Sequence, residues 1–173
     1  DYLQQSLDLR RKIGDKWGIA NSLLNLGKVQ EENGRFTESR KSTDEANIRA
    51  IELGDRRMEA ESFYQLALSE KRLGNLDKAI LNVARGLELV ETIRGELIGS
   101  EVRYAYFSTV QSFYELYIDL LFSSFEKSGD KSAVAKALEI SERSRSRTLN
   151  DLLRQANVNL RQGVDAVLLE KLQ

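Results

Sequence analysis

The sequence predicts an all-α protein, a solenoid in which pairs of antiparallel helices repeat along the chain. Glycine recurs every 20 residues, at Gly14, Gly34, Gly54 and Gly74. The strings around alternate glycines match, as in IGDKWGIANSLLNLG at 13–27 and LGDRRMEAESFYQLA at 53–67. The period is therefore 40 residues, in the range typical of helical repeat arrays. The chain also contains no proline, which favours long uninterrupted helices.

The composition excludes several classes of function. The 173 residues include 26 basic and 27 acidic side chains, so the chain is not a globally basic nucleic-acid binder, although a local basic patch stays open. Cysteine and histidine are both absent from the sequence, which excludes disulfides, Cys/His metal sites, a Cys nucleophile and a His base. We therefore expect no metal, no cofactor and no enzymatic activity in this chain. Its first residues lack the apolar core of a signal peptide, and no apolar run is long enough to span a bilayer, so we expect a cytoplasmic protein without a membrane partner.

The turn signals divide the first part of the chain into helices, which we expect at 1–13, 16–33, 36–53, 57–73 and 76–95. Gly14 can end the first helix in the left-handed conformation, and Asp15 can cap the next one. Residues 1–13 correspond to the second helix of a truncated repeat, so we expect the chain to be a piece of a longer protein.

Apolar spacing predicts the buried face of each of these helices. The expected buried residues are Ile19, Leu23, Leu26 and Val29/Gln30, then Phe36, Ala46, Ala50 and Leu53, then Phe63, Leu66, Ala67 and Leu73, and finally Leu76, Ala79, Ile80, Val83, Leu87 and Val90. Gly27 lies in mid-helix, where glycine costs about 1 kcal/mol relative to alanine. We expect a neighbouring helix to cross there too closely for a side chain.

The pattern loosens from about Gly99. A helix to about Lys127 is rich in aromatic residues, and because they fall on more than one face we expect it to be buried on two sides. Its aromatic residues are Tyr104, Tyr106, Phe107, Phe113, Tyr114, Tyr117, Phe122 and Phe125. We expect a further helix at 131–156, with its inward residues at Val134, Leu138, Ser141, Leu149 and Leu152/Leu153, and then a polar break at 156–166. The predicted organisation is thus repeats at 1–98, a longer capping hairpin at 99–157, and a linker with the start of another helix at 158–173.

The helix pairs resemble the tetratricopeptide (TPR) repeat. Counting from Ala20 gives Leu23, Leu26, Gly27, Gly34, Ser39 and Ala46 at the family's packing and turn positions, and counting from Ala60 gives Phe63, Leu66, Ala67, Gly74, Ala79 and Gly86. The sequence departs from the family where Gln30 and Glu70 replace an aromatic residue and Ile51 replaces proline. The resemblance implies a right-handed superhelical solenoid that binds a protein or peptide.

The last third resembles the segment that joins TPR arrays to a CHAT domain, a caspase-like module of bacterial proteins. The resemblance rests on YFSTVQSFYELYIDLLF at 106–122, ALEISERSRSRTLNDLL at 137–153 and NLRQGVDAVLLEKLQ at 159–173. It implies that this chain is the regulatory or sensor arm of a larger protein, and that the downstream domain is one of its partners. The family's catalytic pair is His and Cys, so no catalytic residue transfers to this sequence.

The resemblance also implies that the first helices of the repeats form a peptide groove. The candidate groove residues, expected to be exposed, are Asn21, Leu24, Asn25, Lys28, Tyr64, Gln65, Leu68, Lys71 and Arg72. The amides and Lys28 can hold a peptide backbone or a carboxylate, and Tyr64 with Leu68 offers an apolar pocket. The alternative is that these residues form a solvated helix face. We do not predict a clamp for a peptide C-terminus, because cations are too few and Glu61 is unfavourable.

A second candidate surface consists of Arg143, Arg147 and Arg154, which share one helical face. It would dock an acidic partner or the downstream domain; an ion-paired surface is the alternative. Nucleic-acid binding is a weaker interpretation, since acidic residues are interleaved and stacking aromatics are missing. A further alternative for the whole chain is self-association as a homodimer, through the aromatic helix at 99–127.

Overall fold

The computed structural model describes residues 2–96 and 100–162, and these residues form α-helices and no strand. The seven helices are α1 (Tyr2–Ile13), α2 (Lys16–Glu32), α3 (Phe36–Leu53), α4 (Arg56–Arg72), α5 (Leu76–Glu96), α6 (Ser100–Ser128) and α7 (Lys131–Gln162). The all-α prediction is confirmed, and the first five helices begin and end close to the predicted residues. Across this part of the chain, none of the helices has an apolar stretch long enough to cross a lipid bilayer.

In the turn between α3 and α4, a glycine ends one helix and the residue after it caps the next. After α3, Gly54 has φ 67° and ψ 19°, a left-handed conformation in which an L side chain would be strained. In this turn the N–H of Gly54 donates to Ile51 O, and the N–H of Asp55 donates to Ala50 O, each at 3.0 Å. Asp55 then caps α4, because its Oδ1 accepts from the N–H of Met58 at 3.0 Å. The side chain of Trp17 ties two turns together, with its Nε1 donating to Asp55 Oδ2 at 3.0 Å.

Each helix packs on the next one along the chain, and α2 also contacts α4 directly. Two helical glycines mark the closest approaches. A Cβ on Gly27 would lie 2.3 Å from Thr43 Oγ1 and 3.3 Å from Ser39 O of α3, so the predicted close crossing is confirmed. A Cβ on Gly86 would lie 2.5 Å from Phe113 Cε1 of α6. Helix packing at these points therefore requires the absence of a side chain.

The core consists of two apolar clusters that both include residues of α4. The first joins α1 to α4 and contains Leu7, Ile19, Ala20, Leu23, Leu24, Leu26, Ala46, Ala50 and Met58. The second joins α4 to α7 and includes Ala67, Val83, Leu87, Val90, Phe113, Tyr114, Tyr117, Leu120, Ala137 and Ile140. Burial of apolar surface in these clusters is the main force that holds neighbouring helices together.

The structure corrects several predicted positions. Leu53 is exposed, and four further residues expected in the core are only half-buried, namely Phe36, Leu73, Leu76 and Ile80. On α7 the predicted inward residues Leu138, Leu149 and Leu153 are exposed. The side of α7 that packs inward instead carries small residues with one isoleucine, namely Ala133, Ala137 and Ile140. A short side chain lets α7 approach α6 closely, so the leucines are left on the opposite side.

The predicted polar break at 156–166 is also wrong in its first part, because α7 continues without interruption to Gln162. The predicted boundary between hairpin and linker at 157/158 thus lies inside a helix. Glutamine is about as good a helix former as leucine, and asparagine is about as good as valine, so a polar stretch without proline does not by itself end a helix.

The aromatic helix α6 packs on both α5 and α7, as the sequence predicts. Phe113, Tyr114 and Tyr117 are buried, whereas Phe122 is exposed. The side chains of Tyr104, Tyr106 and Phe107 lie outside the described part of the structure, as does that of Leu152 on α7.

We expect Gly86→Ala to lower the free energy of unfolding by about 1–2 kcal/mol, because its methyl group would overpack the ring of Phe113. Gly95 lies on the same helix, and a Cβ there would have no neighbour within 4 Å, so Gly95→Ala is the matched control. It should raise stability by up to about 1 kcal/mol through helix propensity. Urea unfolding followed by circular dichroism measures both, and an equal gain in the two variants would contradict the close approach at Gly86.

Candidate functional site

The predicted groove residues that are accessible lie on α2 and α4, on a face that continues onto α6. We call it the α2–α4–α6 face. Three contacts between helices define it: the ion pair of Lys28 with Glu61, the ion pair of Lys71 with Asp119, and the ring contact of Tyr64 with Phe113. Residues that are more than 30 positions apart in sequence thus share one surface.

The cations of this face are already balanced by carboxylates of the neighbouring helix. Lys28 bonds to Glu61, and Lys71 bonds to Asp119. The guanidinium of Arg72 lies 3.4 Å from Glu31 Oε1, measured from Nε, and its Cζ lies 6.0 Å from the ring centroid of Phe36. Exposed pairs such as these add little stability, but they occupy the charges that an anionic ligand would need.

Tyr64 and Leu68 form the apolar part of the face, and both are half-buried. The ring of Tyr64 lies 4.9 Å from that of Phe113, and Leu68 packs against the same cluster. Burial raises the pKa of Tyr64, and a hydrogen bond with Ser112 opposes that shift. A tyrosine hydroxyl can act as hydrogen-bond donor or acceptor.

Asn21 and Asn25 lie one turn apart on α2 and are half-buried. No hydrogen bond to either side-chain amide occurs within residues 2–96 and 100–162. Each amide has a donor and an acceptor group, the same pair that a peptide unit presents. Two such amides at helical spacing can therefore bind successive peptide groups of an extended chain.

Two of the predicted groove residues are not available at the surface. Leu24 is 2% exposed and Gln65 is 5% exposed, so the prediction that they are exposed is wrong. Leu24 belongs to the first apolar cluster. Periodic counting places a residue on a helix face, but whether a neighbouring helix covers that face depends on the crossing geometry.

The second predicted surface, the arginines of α7, is only partly free. Arg143 is exposed, and the side chain of Arg154 lies outside the described residues. Arg147 is turned inward, and its Nη1 lies 2.6 Å from Glu91 Oε2 of α5. For Arg147 the ion-paired alternative is therefore the arrangement observed.

Glu91 is the centre of a buried charged contact that joins α5, α6 and α7. Its side chain is 5% exposed, and its Oε1 accepts from the hydroxyl of Tyr114 at 2.8 Å. Its Oε2 has no partner in good hydrogen-bond geometry among the described residues, and its charge is balanced by Arg147 at 2.6 Å and by Arg94 at 3.9 Å. A buried carboxylate without these cations would be strongly destabilising, so the contact helps to hold α7 on α5 and α6.

Glu91 was not among the predicted site residues, because no neighbouring residue in the sequence indicates that its carboxylate is buried. It follows Val90 on an amphipathic helix and resembles any solvated acid there, and its main partner is remote in the sequence. Comparison with models of protein families and with curated proteins finds no match for this chain.

We expect Arg147→Gln to lower the free energy of unfolding by about 1–3 kcal/mol, since it leaves Glu91 buried with its charge poorly balanced. The matched control is Lys136→Gln, because Lys136 forms an exposed pair with Glu139 on the same helix. The control should change stability by less than about 0.5 kcal/mol. Equal effects of the two substitutions in urea unfolding would show that the contact with Glu91 has no structural role.

Stability should fall steeply at alkaline pH. Burial, reinforced by the hydrogen bond to Glu91, raises the pKa of Tyr114 from 10.0 to about 12. The folded state thus favours the neutral phenol, because Tyr114 ionises at lower pH in the unfolded chain. The resulting contribution of Tyr114 to the free energy of unfolding is complete below pH 10 and is lost as the pH rises toward about 12.

Tyr114→Phe should make that alkaline fall shallower, while it lowers stability at neutral pH by about 1 kcal/mol through the lost hydrogen bond. Part of the fall should remain, because burial also raises the pKa of Tyr64 and Tyr117. Urea unfolding across the alkaline range measures the slope. An identical slope in the variant would show that Tyr114 does not supply this dependence.

Proposed function

We propose that this chain is a non-enzymatic interaction scaffold, a right-handed TPR-like solenoid whose α2–α4–α6 face binds an extended peptide segment of a partner protein. The observation that supports this most directly is the pair of half-buried amides of Asn21 and Asn25, which have no partner among the described residues. Polar groups that are partly withdrawn from water and unpaired are suited to a ligand with complementary groups.

The solenoid arrangement is supported by the repetition of the same contacts. The turns at Gly14, Gly34, Gly54 and Gly74 share a positive φ. Asp15 and Asp55, 40 residues apart, cap the helices that follow them in the same way. First helices of successive pairs, α2 and α4, also contact one another, as in an array whose units interact mainly with their neighbours.

The charges of the face favour a particular class of peptide. Since Lys28, Lys71 and Arg72 are paired with carboxylates, a terminal carboxylate or a phosphate would have to break an existing ion pair. A neutral peptide main chain could bind without breaking any of these ion pairs. The ligand is therefore an internal segment whose peptide groups bind the two amides and whose apolar side chain covers Tyr64 and Leu68. Nucleic acid is disfavoured for the same reason.

In the parent protein this arm would regulate a caspase-like (CHAT) domain. The basis for this part of the proposal is the resemblance of residues 106–122, 137–153 and 159–173 to the segment that precedes such domains. Arg143 is exposed on α7 and is available to a downstream or partner surface, whereas Arg147 is engaged by Glu91.

Selection from a random peptide library displayed on phage tests the proposed function. We expect enrichment of segments without a charged terminus, and about tenfold weaker binding when Asn21→Ala and Asn25→Ala are combined, since each lost hydrogen bond is worth about 0.5–1.5 kcal/mol. Calorimetry on a selected peptide measures the affinity. The control is Asn82→Ala, because Asn82 is a half-buried asparagine on α5, a second helix of a pair. A peptide whose affinity is unchanged by the double substitution, or a library without enrichment, would contradict the proposal.

A further inference from the structure

One side of α7 carries a row of six residues that we call the α7 stripe. Its members are Val134, Leu138, Glu142, Arg145, Leu149 and Leu153. At 3.6 residues per turn these positions fall within an arc of about 100°, so they form a single strip along the helix. The strip is apolar at its two ends and charged at its centre.

Five members of the stripe are exposed in the described structure, and Val134 is half-buried. Leu138, Leu149 and Leu153 are 63%, 58% and 55% exposed. The residues of α7 that pack on the rest of the protein lie on another side of the helix, at Ala133, Ala137 and Ile140. Three leucines at helical spacing, all more than half exposed, are unusual on a solvated helix face.

The order of residues along the stripe is self-complementary. Successive members are separated by four, four, three, four and four residues, which is the same sequence of intervals in either direction. Two copies of α7 that lie antiparallel about a twofold axis would therefore bring Leu138 opposite Leu149 of the partner subunit. The same axis would bring Glu142 opposite Arg145 of the partner subunit, and Val134 to the level of Leu153 of the partner subunit.

We propose that the α7 stripe binds a second copy of this chain in an antiparallel pair of α7 helices. The charges at the centre select both the partner and its direction. In the antiparallel pair every central contact joins opposite charges, whereas a parallel pair in the same register would place Glu142 against Glu142 and Arg145 against Arg145. Polar residues at a helix seam commonly specify orientation in this way.

The proposed interface differs from one through the aromatic helix. Phe113, Tyr114 and Tyr117 of α6 are buried within the chain, so they are not available to a second copy. The α7 stripe from residue 134 to 153 is about 29 Å long. Such a contact between two helices lies at the small end of specific interfaces, so the dimer should dissociate on dilution in the micromolar range.

Sedimentation equilibrium of the 173-residue chain tests this directly. We expect a mass that rises from one chain to two between low and high micromolar concentration. Leu149→Glu should hold the mass at one chain. Leu81→Glu is the matched control, because Leu81 is 51% exposed on α5 and should leave the dimer intact. Unchanged circular dichroism would show that both variants fold.

Charge exchange tests the pairing of Glu142 with Arg145 of the partner subunit. Glu142→Arg alone and Arg145→Glu alone should each weaken the dimer at least tenfold, because each places like charges opposite one another. An equimolar mixture of the two variants should dimerise again, since all central contacts in the mixed pair join opposite charges. A role of the Glu142–Arg145 pair within one helix would not restore dimerisation on mixing.

Two results would overturn the proposal. One is a mass of a single chain at every concentration, as expected if another protein covers the stripe instead. The other is a dimer that persists in the Leu149→Glu variant, which would place the interface elsewhere. Because this test measures self-association alone, its failure leaves peptide binding by the α2–α4–α6 face unaffected.

Discussion

The rest of the structure depends on one constraint, a glycine in the left-handed backbone conformation every 20 residues. These glycines end the helices at regular intervals, so equivalent residues of successive pairs are 40 positions apart. The chain can then reuse one set of contacts: an aspartate that caps the following helix, and small residues where helices cross. Gly27 and Gly86 show how close these crossings are, because a methyl group at either position would collide with a neighbouring helix.

Much of this fold can be predicted from the sequence, because its turns are signalled locally. Gly54 ends one helix and Asp55 starts the next, through contacts within a few residues. Such local patterns can be recognised in the amino-acid sequence. Which side of a helix is covered depends on remote neighbours, so Leu24 was wrongly expected at the surface and Leu149 in the core. Glu91 could not be found at all, since its burial and its pairing with Arg147 arise only when α5, α6 and α7 pack together.

The described residues present two surfaces with different chemistry. The α2–α4–α6 face is polar and largely charge-balanced, with free amides at Asn21 and Asn25. The α7 stripe is apolar with a self-complementary charged centre. The buried contact of Glu91 with Arg147 joins α7 to α5. If two copies pair through α7 as proposed, the face proposed to bind peptide is present twice, and a partner with two matching segments would bind more tightly by avidity.

The central claim is that α2, α4 and α6 lie side by side on one face, and zero-length cross-linking tests it most directly. A carbodiimide joins a lysine to a carboxylate only when the two are in contact. The structure predicts cross-links of Lys28 to Glu61 and of Lys71 to Asp119, pairs that are 33 and 48 residues apart in sequence. Peptide mass spectrometry of the monomer fraction would identify them. Cross-links from these lysines to other helices, with none to Glu61 or Asp119, would contradict the arrangement.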